Sequence, residues 1–126
     1  MASFRFPKRE RLSRQRLWEE VFARGRSAKA FPLVLHYLKT ELPEPVPAQA
    51  GFAVPKRRFR KAVHRNRVRR LMREAYRMEK PGFFNNTKGS FAFVFLYIGN
   101  ELPQLAALQA AMRSLLAKVT AHEDDA

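Results

Sequence analysis

The residues in this chain best equipped to do chemistry are arginines. The stretch from Lys56 to Arg77, KRRFRKAVHRNRVRRLMREAYR, holds 11 of the 25 Lys and Arg residues in 22 positions, against one acid, Glu74. A guanidinium is a planar fork of donors that grips phosphate oxygens two at a time. The chemistry on offer is recognition of a polyanion. Placed at 100° per residue, the stretch also has helical order. Val68, Leu71, Met72 and Ala75 fall on one side, with His64 at the start of that stripe and Met78 near its end. Asn66, Arg69, Arg70, Arg73 and Arg77 fall on the other, and Arg65 and Arg67 flank the stripe. One face is expected to dock on a core while the other presents guanidinium groups about one turn apart, roughly 5–6 Å, a pitch that follows a phosphate backbone. An ordinary solvated helix mixes signs to gain i,i+4 pairs, whereas cations so spaced repel.

Bond-breaking chemistry has no counterpart in the pattern. There is no metal-ligand spacing, Ser-His-Asp set, phosphate-cradling glycine loop or pair of carboxylates. His36 has no neighbouring acid that marks a catalytic pair, and His64 reads as a packing residue rather than a general base. The chain has no cysteine, which excludes disulfides and Cys-based zinc or redox sites. The expectation is a chain with no catalytic residue, no metal ligand and no cofactor of its own.

Composition agrees with a polyanion partner. The 126 residues fit one domain, and 46% apolar content is enough for a core. A net charge of +14 strains a compact fold by self-repulsion unless a partner neutralises it. Nucleic acid is the commonest such partner, and an anionic membrane surface is the rival. MASFRFPKRE lacks the apolar run of a signal peptide, and Phe91–Ile98 is far too short to span a bilayer. A soluble cytoplasmic protein without a membrane partner is expected, as is a single domain over 1–126 with a basic extended arm (1–11) and an acidic frayed tail (120–126). No obligate protein partner is evident.

The elements that must position the arginines follow from periodicity. Ser13 is a plausible N-cap for a helix to about Ala23, with Leu17, Trp18, Val21 and Phe22 as its stripe and Gly25 as its stop. Arg26–Ala30 suggests a short strand and Phe31–Lys39 a longer one. Pro43, Pro45 and Pro47 make 41–47 a loop, and Ala50–Val54 is a short strand stopped by Pro55. The basic helix is expected over Ala62–Glu79, ended by Pro81 and Gly82, followed by a loop over Phe83–Gly89. Ser90–Ile98 alternates aromatic (Phe91, Phe93, Phe95, Tyr97) with aliphatic residues, which suits a central strand apolar on both faces. Core packing is the stronger reading of that aromatic row, and a base-stacking surface the weaker. A last helix over Leu102–Val119 buries Leu105, Leu108, Met112, Leu115 and Leu116. The order α-β-β-β-α-β-α predicts an α+β two-layer sandwich, with about four strands and helices against the sheet.

The set Lys61-Ala62-Val63, Arg65-Asn66-Arg67, Arg69-Arg70, Arg73-Glu74 and Arg77 resembles the signature of the protein component of bacterial ribonuclease P. Trp18, Val21, Phe22 and Gly25 resemble that family's first helix, and Gly51-Phe52-Ala53-Val54 the strand before the signature. The likeness covers most of residues 11 to 119. It implies a protein that binds a large catalytic RNA and assists removal of the 5′ leader from precursor tRNA, with active-site Mg2+ carried by the RNA. It implies RNA-subunit contact through Lys61, Arg65, Asn66, Arg67, Arg69, Arg70, Arg73 and Arg77, and a leader cleft between the sheet and the first helix. It also implies a left-handed βαβ crossover, against the roughly 98% preference for the other hand. A single-stranded leader needs stacking platforms beside positive charge. The candidates are Trp18 and Phe22 on the first helix and His36 or Tyr37 on the strand, with Lys56 for a phosphate; Trp18 and Phe22 read equally well as core. The chain departs from the family in having Trp18 where Phe is more usual, in the three-proline loop, and in Phe83 and Phe84.

Three rivals remain in view. A self-sufficient enzyme lacks its residues, and a helix-turn-helix would need a helix just before residue 62, where Pro55 and a strand stand instead. A ribosomal or other architectural RNA binder with no role in tRNA processing shares the composition but not the Arg-Asn-Arg spacing.

Overall fold

The structure, a computed structural model, describes residues 5–125, with side chains up to Glu123. A 3₁₀ turn (Lys8–Glu10) precedes α1 (Gln15–Arg24), β1 (Arg26–Ala30), β2 (Leu33–Lys39), β3 (Ala48–Ala53), α2 (Ala62–Phe84), β4 (Phe91–Tyr97) and α3 (Leu105–Asp125). The expected order of helices and strands holds. The sheet runs β1-β2-β4-β3, antiparallel except for the parallel pair β3–β4. That pair must be parallel because α2 carries the chain back across the sheet between them.

β4 is central, as its two apolar faces predict. Phe91, Phe93, Phe95 and Tyr97 are buried on the face shared with Leu33, Leu35 and Tyr37 of β2 and Ala48, Ala50 and Phe52 of β3. α2 and α3 cover this face with Val68, Met72, Ala75, Tyr76, Leu108, Met112 and Leu115. The aromatic row is therefore core. Phe83 stands edge-on to Phe91 and Phe93 at 5.7 and 5.4 Å, and Phe52 stacks on Phe95 at 5.5 Å, the arrangements that ring quadrupoles favour. Each such ring contributes about 1.5–3 kcal/mol through burial alone.

The other face of the sheet is only half covered. Leu17 and Val21 of α1 join Leu12, Ala92 and Val94 in a second, smaller cluster, with Trp18, Leu38 and Leu42 packed on it. Val34, His36, Ala53 and Leu96 lie on that side half-buried.

Several boundaries differ from expectation, each because tertiary packing overrides a local signal. α2 does not stop at Pro81 but runs to Phe84. Proline there forfeits one helical N–H bond, and buried Lys80 and Phe83 hold the turn in place. The helix closes instead at Asn85, whose N–H reaches the Pro81 carbonyl at 3.0 Å, while the Asn86 side chain donates to the Gly82 carbonyl at 2.6 Å. The acidic tail is not frayed through Glu123. His122 meets the Tyr37 hydroxyl, and Glu123 accepts from Thr87 at 3.2 Å and Lys39 at 3.4 Å. Ala126 and the first four residues of the basic arm lie outside the described residues. From Arg5 onward the arm is docked rather than extended, with Phe6 edge-on to Tyr76 at 5.6 Å. Ser13 does not cap α1; the N-cap is Arg14 and it makes no capping side-chain bond. Gly25 ends α1 with extended backbone, φ −80°, so the left-handed stop is not the reason for glycine. A Cβ there would lie 2.6 Å from the Tyr37 carbonyl oxygen.

Candidate nucleic-acid interface

α2 sorts most of its side chains as its periodicity predicts, except that His64 and Leu71 are only half-buried and Met78, near the end of the expected stripe, is exposed. Val68, Met72, Ala75 and Tyr76 are buried. Lys61, Asn66, Arg67, Arg70 and Arg73 are exposed, and Arg65, Arg69 and Arg77 are half-buried. The helix thus rests on the core by one stripe and turns a cationic face outward.

The eight residues on that face are not equivalent. Asn66 accepts a bond from Arg69 Nη2 at 2.6 Å, which fixes the second guanidinium one turn along. Asn between arginines is thereby explained: it orients a neighbour without cancelling its charge. Arg65 turns inward, its Nη1 donating to the carbonyls of Phe59 and Arg60 at 2.8 and 2.9 Å. It braces the loop that carries Lys56, Arg57, Arg58 and Arg60. Phe59 anchors the same loop from below, 5.8 Å from Tyr97 and edge-on to His64. Arg58 ties it to Asn100 at 3.0 Å. Arg77 is paired with Glu74, whose carboxyl its hydrogen bonds hold below the usual range. The least compensated cations are therefore Arg67, Arg70 and Arg73, with Lys61 at the helix start.

On the other side of the sheet, α1 covers only part of the strands and leaves an open face beside it. Phe22 is 51% exposed and its ring lies 4.8 Å from His36, tilted by 51°. Burial lowers the His36 pKa, which favours the uncharged ring. Val34, Ala53 and Leu96 lie half-buried on the same face of the sheet as His36. Lys56 is exposed just beyond the end of β3.

Two of the expected platforms lie elsewhere. Tyr37 follows His36 directly along an extended strand, and neighbours on a strand face opposite sides. Its ring is buried under α3, and its hydroxyl bonds to His122 Nδ1. Trp18 is on the correct side but closed into the second cluster. Its indole Nε1 donates to the Leu12 carbonyl at 2.7 Å, and its ring fills the place where a Cβ on Gly51 would stand. Gly51 is thus the reason Trp18 fits there. Sequence reasoning missed the role of Val34, Ala53 and Leu96 on the open face, which follows only once α1 is known to cover part of that face. It also missed the buried pair of Glu10 and Lys80, which lie 70 residues apart.

Among the described residues, no group of three or more His, Cys, Asp or Glu could hold a metal ion, and no helix is long and apolar enough to cross a membrane.

This fold, a four-stranded mixed sheet with a cationic crossover helix, is that of bacterial ribonuclease P proteins of known structure. The protein from Staphylococcus aureus matches with a TM-score of 0.70 over 89% of this chain and 96% of that one, at 17% identity. The protein from Thermotoga maritima matches at 0.69 over 87% and 97%, with 23% identity. In sequence, the ribonuclease P protein component of Porphyromonas gingivalis is 31% identical over 124 residues, 96% of this chain and 90% of that one. That of Chlorobium phaeobacteroides is 45% identical over 80 residues, 61% and 55% of the two chains. The Ribonuclease P family model matches residues 6–120, and the chain belongs to that family. It is an RNA-binding protein component of an endoribonuclease complex that acts in tRNA processing, and the architectural alternative is not favoured.

Proposed function

We propose that the two sides of the sheet bind two different RNAs. The outward face of α2 grips the ribonuclease P RNA, and the open half of the sheet beside α1 holds the single-stranded 5′ leader of precursor tRNA. The observation that carries this reading is the Phe22–His36 ring pair, with Phe22 exposed and His36 half-buried, on the face of the sheet opposite the helix that carries the arginines. A folded RNA rewards cations at helical pitch because its phosphates are dense and its deep groove hides the bases. An extended strand rewards rings on which bases stack whatever their identity. Arg67, Arg70 and Arg73 supply the first, and Phe22 with His36 supplies the second. Lys56 lies at the strand end where a leader phosphate passes. Arg65 acts by holding the basic loop in place, and Asn66 by aiming Arg69.

The chain itself hydrolyses nothing in this reading. The arginine face does not suit Mg2+, which needs oxygen ligands, because Glu74 is committed to Arg77. The metal ions of the reaction are expected on RNA phosphates, and the chain contributes binding and placement in the cytoplasm without an obligate protein partner.

The test is reconstitution with a bacterial ribonuclease P RNA at physiological Mg2+. Leader removal is expected to rise strongly when the chain is added, and the chain with Mg2+ but no RNA subunit is expected to leave precursor tRNA intact. Cleavage by the chain alone would overturn the non-catalytic reading, and no stimulation of the RNA would overturn the whole.

A further inference from the structure

The β3 edge of the sheet is not bare. Residues 5–14 wrap it, starting on the α2 layer and ending on the α1 layer. Phe6 packs between Phe52 and Tyr76 on one side, and Leu12 enters the small cluster with Leu17 and Val21 on the other. Hydrogen bonds hold the crossing: Leu12 N–H donates to the Ala50 carbonyl at 3.0 Å, and the buried Gln49 side chain donates to the Arg9 carbonyl at 2.8 Å.

The staple of this segment is ionic. Glu10, 6% exposed, pairs with Lys80, which is fully buried under the Phe84 ring at 5.0 Å. A buried ion pair is a poor source of stability, because desolvating two charges cancels most of their attraction and apolar residues would pack as well. Its strength is directional: Glu10 has one place to go. Beside the pair the Tyr76 hydroxyl is buried without a hydrogen-bond partner. While Glu10 is held inward, Lys8, Arg9, Arg11 and Arg14 are all exposed. They line a recess of about 380 Å³ in which Glu44 is the opposing acid. On α2, Arg73 and Arg77 precede Tyr76 and Lys80 by three residues each, so the strap lands one turn from the arginine face.

We infer that residues 5–14 are a cationic strap that continues the RNA-binding surface around the β3 edge, with Lys8, Arg9 and Arg14 contacting phosphates of the ribonuclease P RNA. Glu10 and Lys80 are positioning residues that set the strap's register. The inference rests on the assignment of the α2 face to that RNA.

The test is the slope of log affinity against log salt for the full chain and the ribonuclease P RNA. For every phosphate that a variant no longer neutralises, the slope becomes shallower by about 0.7–0.9. The K8A/R9A/R14A variant is expected to flatten it by about two to three such steps, and so is E10Q, which removes no cation. The slope is taken per folded molecule, with helix content measured in parallel, so that a merely structural role of Glu10 leaves it unchanged. An unchanged slope for K8A/R9A/R14A, while R70A/R73A flattens it, would overturn the strap alone. An unchanged slope for R70A/R73A as well would take the α2 assignment down with it.

Discussion

The two faces of the sheet are built from the same four strands and differ in how far they are finished. The face toward α2 and α3 is sealed by rings: Phe93 and Phe95 have no exposed surface, and Phe52, Phe83 and Tyr76 close on them. The face toward α1 is sealed only where Leu17, Trp18 and Val21 lie, and beyond them Phe22 and His36 stand against solvent. Stability is concentrated where the apolar surface is closed, and the proposed leader site lies where it is left open. The β3–α2–β4 crossover serves both, because the helix that seals one face carries the arginines on its back.

Substitutions should separate the two faces by size of effect. On the sealed face, Phe95→Ala removes a fully buried ring and is expected to cost about 3–5 kcal/mol in urea unfolding; a loss below about 1 kcal/mol would show that the core is not where the stability lies. At the boundary, Gly51→Ala drives a methyl group into the Trp18 ring. The expected cost is about 1–3 kcal/mol, with a shift in tryptophan fluorescence as the ring is displaced. On the open face, Phe22→Ala should change stability by no more than about 0.5 kcal/mol, the usual range for surface sites.

Smaller effects come from charge. The net charge of +14 should leave the free chain underfolded at low ionic strength, so added sulfate is expected to raise helix content and Tm. Circular dichroism that does not respond to sulfate would mean the core outweighs the repulsion. The smallest effect concerns His36, whose pKa burial lowers from its ordinary 6.5. The unfolded state then takes up a proton first as pH falls. Stability is expected to decline slightly from about pH 6.5 downward until the folded His36 also titrates, and His36→Phe should remove that decline.

Much of this was legible in the sequence, and the reasons differ by region. The central strand and the basic helix announce themselves because their side-chain periods, two and 3.6, run unbroken through Phe91–Ile98 and Ala62–Met78. Asn66 among arginines pointed to the family before any contact was visible. The rest depended on neighbours distant in the chain. Pro81 reads as a breaker until Phe83 finds Phe91 and Phe93. The acidic tail reads as solvent-bound until His122 finds Tyr37 and Glu123 finds Lys39. Strand alternation puts His36 and Tyr37 on opposite sides, but only the packing of α3 shows that the Tyr37 side is the closed one. For Trp18, nothing local says that Gly51 leaves room for its ring.

The central claim is that the arginine face and the open sheet face beside α1 hold different RNAs, and one measurement addresses it directly. In the complex reconstituted with ribonuclease P RNA, the affinities for precursor and mature tRNA are compared for the wild type, Phe22→Ala and R70A/R73A. The wild type is expected to prefer the precursor. Phe22→Ala should bring the ratio toward one while the RNA subunit still binds, and R70A/R73A should weaken RNA-subunit binding while the ratio holds in whatever complex forms. A wild-type ratio of one, or a ratio untouched by Phe22→Ala, would contradict the account.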